Sequence, residues 1–201
     1  VVLKEETAGI ADYAFYQCTS LKGINADIPQ FIGKGAFYGC DSLSTISLNI
    51  NLKRIEDYTF YKCGSLFEVP LPSMVDSIGR SAFYKCSYLN SINLSACLVK
   101  TIDDYAFYGC KNMKKLDLGD DVESIGDYAF YGCSKISEIN VPDSVKYLGS
   151  RSFGKCTSLE TLTLGAGLDR IRTYTFNGCS ALKELYIPAN IKTLEKGAFY
   201  K

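Results

Sequence analysis

Apolar residues recur along this chain with one dominant spacing. Phenylalanine returns at Phe15, Phe37, Phe60, Phe83, Phe107, Phe130, Phe153, Phe176 and Phe199, at intervals of 22, 23, 23, 24, 23, 23, 23 and 23 residues. A fixed period of 20 to 50 residues marks a solenoid or a repeat array. Further apolar rows keep step with the phenylalanines. Six residues after each Phe stand Leu21, Leu43, Leu66, Leu89, Met113, Ile136, Leu159 and Leu182. Nine after it stand Ile24, Ile46, Val69, Ile92, Leu116, Ile139, Leu162 and Leu185. Five before it stands an aliphatic residue, from Ile10 through Ile55 and Ile125 to Leu194.

The rows predict the elements. Around Ile139-Asn140-Val141, apolar and polar residues alternate, as in a short strand with one buried face. Pro142 ends that strand, because proline cannot donate to a ladder. Parallel strands are therefore expected, one per repeat, centred on the row from Ile24 to Leu185. Around Asp127-Tyr128-Ala129-Phe130 the alternation stops. The spacing Ile125, Ala129, Cys133 fits one or two helical turns or a 3-10 segment. The expected class is thus an α/β repeat, with a parallel sheet on one side and short helical turns on the other. One coil cannot bury its apolar face alone, so stacking must close the core.

The pattern covers residues 1–201 as a single solenoid of about eight to nine 23-residue coils, expected to be a segment of a longer protein. The short repeat, near Ala26 to Phe31, and the long one, near Ser95 to Val99, both change length at a corner that can bulge without disturbing the ladder. Lys plus Arg and Asp plus Glu both number 22, so the net charge is zero. A nucleic-acid partner would call for a basic excess, which is absent. No apolar run reaches the roughly 18 residues of a membrane span, so no direct membrane insertion is expected.

The chemistry is sparse. There are nine Cys and no His. Eight Cys hold one repeat position: Cys18, Cys40, Cys63, Cys86, Cys110, Cys133, Cys156 and Cys179; Cys97 stands apart. Equivalent thiols one strand spacing apart would have Cβ atoms about 4.8 Å apart, slightly too far for a disulfide. They read as reduced, inaccessible small hydrophobes. Without His, the commonest general base and metal ligand is missing, so no catalytic, cofactor or metal residues are assigned. Two tyrosine rows, Tyr13 to Tyr174 before the Phe and Tyr16 to Tyr200 after it, allow either stacking between coils or an aromatic contact stripe. Asn93-Leu94-Ser95 matches a glycosylation sequon, a three-residue pattern common by chance.

Positions that alternate with the strand core must point outward, and they vary from coil to coil. They include Phe67-Glu68, Lys183-Glu184 and a patch of Lys114, Lys115, Asp117, Glu138, Asn140, Glu160, Thr163 and Tyr186. That patch is either a solvated sheet face or the recognition surface for a protein partner.

From Cys63 to Cys86 the chain reads CGSLFEVPLPSMVDSIGRSAFYKC. This pattern resembles the BspA-like class of leucine-rich repeat, and the resemblance runs the length of the chain. It implies a leucine-rich-repeat solenoid without catalytic activity. It also implies a surface or secreted protein, several of whose relatives are implicated in adhesion to host proteins or to other cells. The alternative is a structural scaffold that self-associates end to end through its coils.

Overall fold

A computed structural model describes residues 1–183 and 185–201. Glu184, one of the outward residues named above, lies outside the described set. Along the chain lie β1 (Gly23–Ala26), β2 (Thr45–Leu48), β3 (Arg54–Ile55), β4 (Ser77–Ile78), β5 (Ser91–Asn93), β6 (Thr101–Ile102) and β7 (Lys115–Asp117). Then follow β8 (Ser124–Ile125), β9 (Glu138–Val141), β10 (Tyr147–Leu148), β11 (Thr161–Leu164), β12 (Arg170–Ile171) and β13 (Thr193–Leu194). All pairings between these strands are parallel and join equivalent positions of neighbouring coils, such as Ile24 with Ile46 and Ile55 with Ile78. Register follows from the apolar rows, because a slip of one residue would turn each core side chain to solvent.

Two ladders run along the solenoid. The front ladder is the one the alternation predicts, and it forms at six of the eight expected centres: Ile24, Ile46, Ile92, Leu116, Ile139 and Leu162. It is broken into the pairs β1-β2, β5-β7 and β9-β11. Val69 is buried but joins no strand. Its neighbour Pro70 has no amide, whereas the equivalent Asn25 uses its own to donate to Val1 at 3.2 Å. Leu185 also joins no strand. The back ladder, through the aliphatic row before each Phe, was not expected. There β3, β4, β6, β8 and β10 form an unbroken five-stranded sheet, and β12 pairs with β13. Each of these strands is two residues long, too short to show alternation in sequence.

The expected α/β class is overturned: no helix or 3-10 segment occurs among the described residues, and the repeat is built of strands and turns. The segment through Tyr58-Thr59-Phe60-Tyr61-Lys62-Cys63 shows why. Thr59, Tyr61 and Cys63 donate their amides three residues back, to Glu56, Tyr58 and Phe60. Tyr58, Phe60 and Lys62 instead donate to Arg80, Ala82 and Tyr84 of the next coil, at 2.9, 2.8 and 2.7 Å. A helix would keep all of these amides to itself. Turning alternate amides outward requires left-handed residues two before and two after the Phe, and Tyr58 and Lys62 both have φ of 58°. The glycines in those rows, such as Gly35 and Gly132, carried this signal.

The phenylalanines stack without interruption, with ring centroids 5.0 to 5.7 Å apart from Phe15 to Phe199. The seven from Phe37 to Phe176 are fully buried; Phe15 and Phe199 are partly covered. Beside them runs the cysteine row. Cys63 donates its thiol to Phe37 O at 3.1 Å, and Cys133 to Phe107 O at 3.3 Å. Each such carbonyl also accepts the amide of its own coil's Cys, as Phe107 O does from Cys110 at 3.2 Å. Both lone pairs of a buried oxygen are thereby used. All nine cysteines are free. Cys18 corrects the expectation of eight inaccessible thiols: it is exposed, because no described coil covers it. The extra residue of the long repeat is absorbed at the corner, where Cys97 turns inward, Leu98 turns out to solvent, and the pairing of Ser77 with Thr101 is undisturbed.

A pairing rule between coils was also missed. Asp12, Asp57, Asp104 and Asp127 stand three before a Phe, and each accepts an amide of the next coil at 2.7 to 3.0 Å. One coil later, four before the Phe, stand Gly33, Gly79, Gly126 and Gly149, and that row holds no other glycine. A Cβ at Gly126 would lie 2.5 Å from Asp104 N and 2.6 Å from its Oδ1. Backbone blocks it on one side, so the coils would have to part. Gly126→Ala is expected to cost about 2–3 kcal/mol in a denaturant melt. An unchanged midpoint would refute this close-contact account.

Candidate protein-binding face

The eight residues singled out from sequence belong to the coils of the front ladder and its flanks. Lys115 and Asp117 lie on β7, Glu138 and Asn140 on β9, and Thr163 on β11. Lys114 and Glu160 immediately precede β7 and β11, and Tyr186 continues the row one coil on. All eight are exposed, Tyr186 to 79%. The alternation that buries Ile139 and Leu162 sends their neighbours outward.

Seven of the eight line one shallow furrow made of three adjoining concavities. The largest, about 900 Å³, is bounded by Lys114, Lys115, Asp117, Glu138 and Asn140 together with Glu68 and Asp120. The second, about 460 Å³, shares Asp120 and Asn140 with it and adds Asp143 and Thr163. The third, about 340 Å³, shares Asp143 and Thr163 with the second and ends at Tyr186 and Asn190. Glu160 lies outside the furrow. The contributions of Asp120 and Asp143 were not foreseen. They sit in the turns after the strands, just beyond Gly119 and next to Pro142, where no alternation points to a face.

The largest concavity lies over a seam. β7 and β9 are neighbours in space, yet among the described residues they are not paired in one sheet. Behind them, β6, β8 and β10 remain fully paired. Asp117, at the end of β7, accepts the amide of Gly119 in its own coil at 3.0 Å, and Asp143, beyond β9, accepts that of Ala166 in the next coil at 2.7 Å. Asn93 of the sequon is held likewise, accepting from the amide and the hydroxyl of Ser95 at 2.9 and 2.7 Å.

The rival aromatic stripe is committed to internal stacking. Tyr16, Tyr38, Tyr61, Tyr84, Tyr108 and Tyr131 form a ladder with centroids 4.4 to 5.2 Å apart. Their faces cover one another, which leaves mainly edges for a partner. Desolvation, reinforced by neighbouring tyrosines, pushes the Tyr61 hydroxyl up to about 12. The row before the Phe continues through a cation: Arg151 lies 5.5 Å from the Tyr128 ring and 4.7 Å from that of Tyr174.

The buried thiols are held in their protonated form. Burial pushes Cys40 up to about 11 and Cys133 and Cys179 to about 12, and holds Cys63, Cys110 and Cys156 well above the ordinary thiol range. A nucleophile or metal ligand requires the thiolate, which these sites disfavour. Among the described residues no group of three or more His, Cys, Asp or Glu converges on a metal position, and no helix is long and apolar enough to cross a membrane.

Comparison with known proteins agrees with this geometry. The chain superimposes on a leucine-rich repeat protein from Bacteroides ovatus with a TM-score of 0.87 at 28% identity, over 95% of this chain and 50% of that one. It therefore spans half the length of that protein. A leucine-rich repeat protein of T. pallidum matches with a TM-score of 0.62 at 27% identity, over 92% of this chain and 78% of the other. One from Eubacterium ventriosum matches with a TM-score of 0.71 at 23% identity, over 90% and 59%, and at that identity shows the fold alone. No curated protein matches the sequence. The BspA type leucine rich repeat region, in six copies, matches residues 8–100 and 100–201. The chain therefore belongs to the BspA-type leucine-rich-repeat family, whose solenoid modules are non-catalytic scaffolds for protein interaction.

Proposed function

We propose that this solenoid is the binding module of a cell-surface or secreted protein and that it mediates adhesion to proteins of a host or of neighbouring cells. The furrow along the front ladder carries the reading: seven exposed residues that the core does not dictate share one concave surface. The surface placement rests on family membership. The docking residues are Lys114, Lys115, Asp117, Glu138, Asn140, Thr163 and Tyr186, with Glu160 at the margin. A protein partner is favoured over nucleic acid, because the net charge is zero and more carboxylates than ammonium groups line the furrow.

Surface plasmon resonance against purified extracellular-matrix proteins tests the reading. The quadruple change of Lys115, Asp117, Glu138 and Asn140 to Ala is expected to weaken binding at least about tenfold, as loss of central contacts does. The change of Tyr105, Tyr108, Tyr128 and Tyr131 to Ser is expected to leave binding in place, with folding of both variants checked by circular dichroism. Loss in the tyrosine variant alone, with its fold intact, would move the site to the other side of the coil. Concentration-dependent growth of elongated particles in sedimentation, without partner binding, would favour end-to-end self-association instead.

A further inference from the structure

The charges in the furrow are arranged unlike those elsewhere on the coil. Just before the back ladder, Lys53, Asp76, Lys100, Glu123, Lys146, Asp169 and Lys192 alternate in sign from coil to coil. Neighbours there pair, as Glu123 does with Lys146 at 3.5 Å and with Lys100 at 4.0 Å. In the furrow the carboxylates of Glu68, Asp117, Asp120, Glu138 and Asp143 outnumber the ammonium groups of Lys114 and Lys115. No ion pair among the described residues includes any of these seven groups. Asp117 and Asp143 accept only backbone amides. The surplus of negative charge is thus local, on a chain whose net charge is zero, and it is not answered within the coil.

Resting on the furrow as the docking face, we infer that its occupant is an extended protein segment rich in Arg or Lys, lying across the front strands. Cationic side chains supply the charge that the five carboxylates lack, and Arg matches carboxylates with two parallel hydrogen bonds. Length also fits. From the coil of Glu68 to that of Tyr186 there are five strand spacings of about 4.8 Å, which an extended segment of about seven residues spans. Exposed Tyr186, at the far end of the furrow, offers a ring face for a terminal guanidinium. Lys114 and Lys115 stand together before and on β7, so an Asp or Glu of the segment fits opposite them and sets its direction.

Two fluorescein-labelled dodecapeptides, one of alternating Arg and Ser and one of alternating Glu and Ser, test the inference by anisotropy. Amide chemical shifts of the isotope-labelled protein locate any binding. The Arg peptide is expected to bind and to shift amides of β7, β9 and β11. Its affinity should fall at least about tenfold between 50 and 300 mM salt. The variant carrying Asp117→Asn, Asp120→Asn, Glu138→Gln and Asp143→Asn should bind at least about tenfold more weakly, with the dispersion of its spectrum unchanged. Preference for the Glu peptide with shifts in the furrow would overturn the cationic partner and leave the docking face standing. Shifts confined to the tyrosine ladder or the back ladder would overturn both. Failure of both peptides to bind at millimolar concentration would overturn the cationic partner.

Discussion

Phe107→Ala is expected to remove about 3–5 kcal/mol of stability and to make the chain melt in two steps. The ring is fully buried and stacks on Phe83 and on Phe130, each 5.0 Å away. Truncation leaves a cavity in mid-stack and breaks two aromatic contacts at once. In a solenoid each coil touches only its neighbours, so stability is a sum of coil and interface terms. Weakening both interfaces of one central coil separates the blocks on either side of it. Phe15→Ala serves as the comparison, since that ring is partly exposed and stacks on Phe37 alone among the phenylalanines. It should cost markedly less and leave one transition. Differential scanning calorimetry with urea titration reads both effects. Equal losses at the two sites would refute the stacked spine as the central source of stability.

Alkaline instability is the second large effect, and it comes from the cysteine row. Cys86, Cys110, Cys133 and Cys156 have no exposed surface, and burial raises the pKa of each. In the unfolded chain they ionise near the ordinary thiol value of about 8.5. Folded pKa above unfolded pKa means that the stabilisation is complete below about pH 8.5. It is lost as pH rises toward the folded values, about 12 for Cys133. Between those limits the unfolded state holds fewer protons, so each thiol withdraws roughly 1.4 kcal/mol per pH unit, and four together withdraw on the order of 5. Against a typical stability of about 5–15 kcal/mol, a loss of that order per pH unit is a large fraction of the total. Urea midpoints measured from pH 7 to 11 are expected to be flat at first and then to fall steeply. Cys133→Ala should lower stability at neutral pH but make the alkaline slope shallower by about one proton. A midpoint indifferent to pH up to 11 would count against the enclosed row.

The period, the core rows, the strand register and the exposed patch are all legible in the sequence. They depend on which side chains avoid water, and a repeat of 23 residues prints that preference along the chain nine times over. Phe130, Cys133, Ile136 and Ile139 could be placed in the core on these grounds, and so could the outward direction of Glu138 and Asn140.

Backbone hydrogen bonding was harder to read. The run Tyr128-Ala129-Phe130 has helical spacing, but Tyr128 and Phe130 donate to Ser150 and Ser152 of the next coil. Whether an amide bonds within its coil or across to the next depends on a neighbour 23 residues away. Local periodicity carries no information about that choice. The glycines at Gly126 and Gly149 make sense only once Asp104 and Asp127 of the preceding coil lie against them.

The furrow divides in the same way. Alternation alone sends Lys115, Asp117, Glu138 and Asn140 to one surface. That the surface is concave, that the ladder parts between β7 and β9, and that Asp120 and Asp143 swing in from their turns are results of stacking. Sequence dictates which residues each coil buries, because burial is a property of the residue type and its period. Contacts between coils dictate where the remaining polar groups meet, because their partners are set by the geometry of the stack and not by position along one repeat.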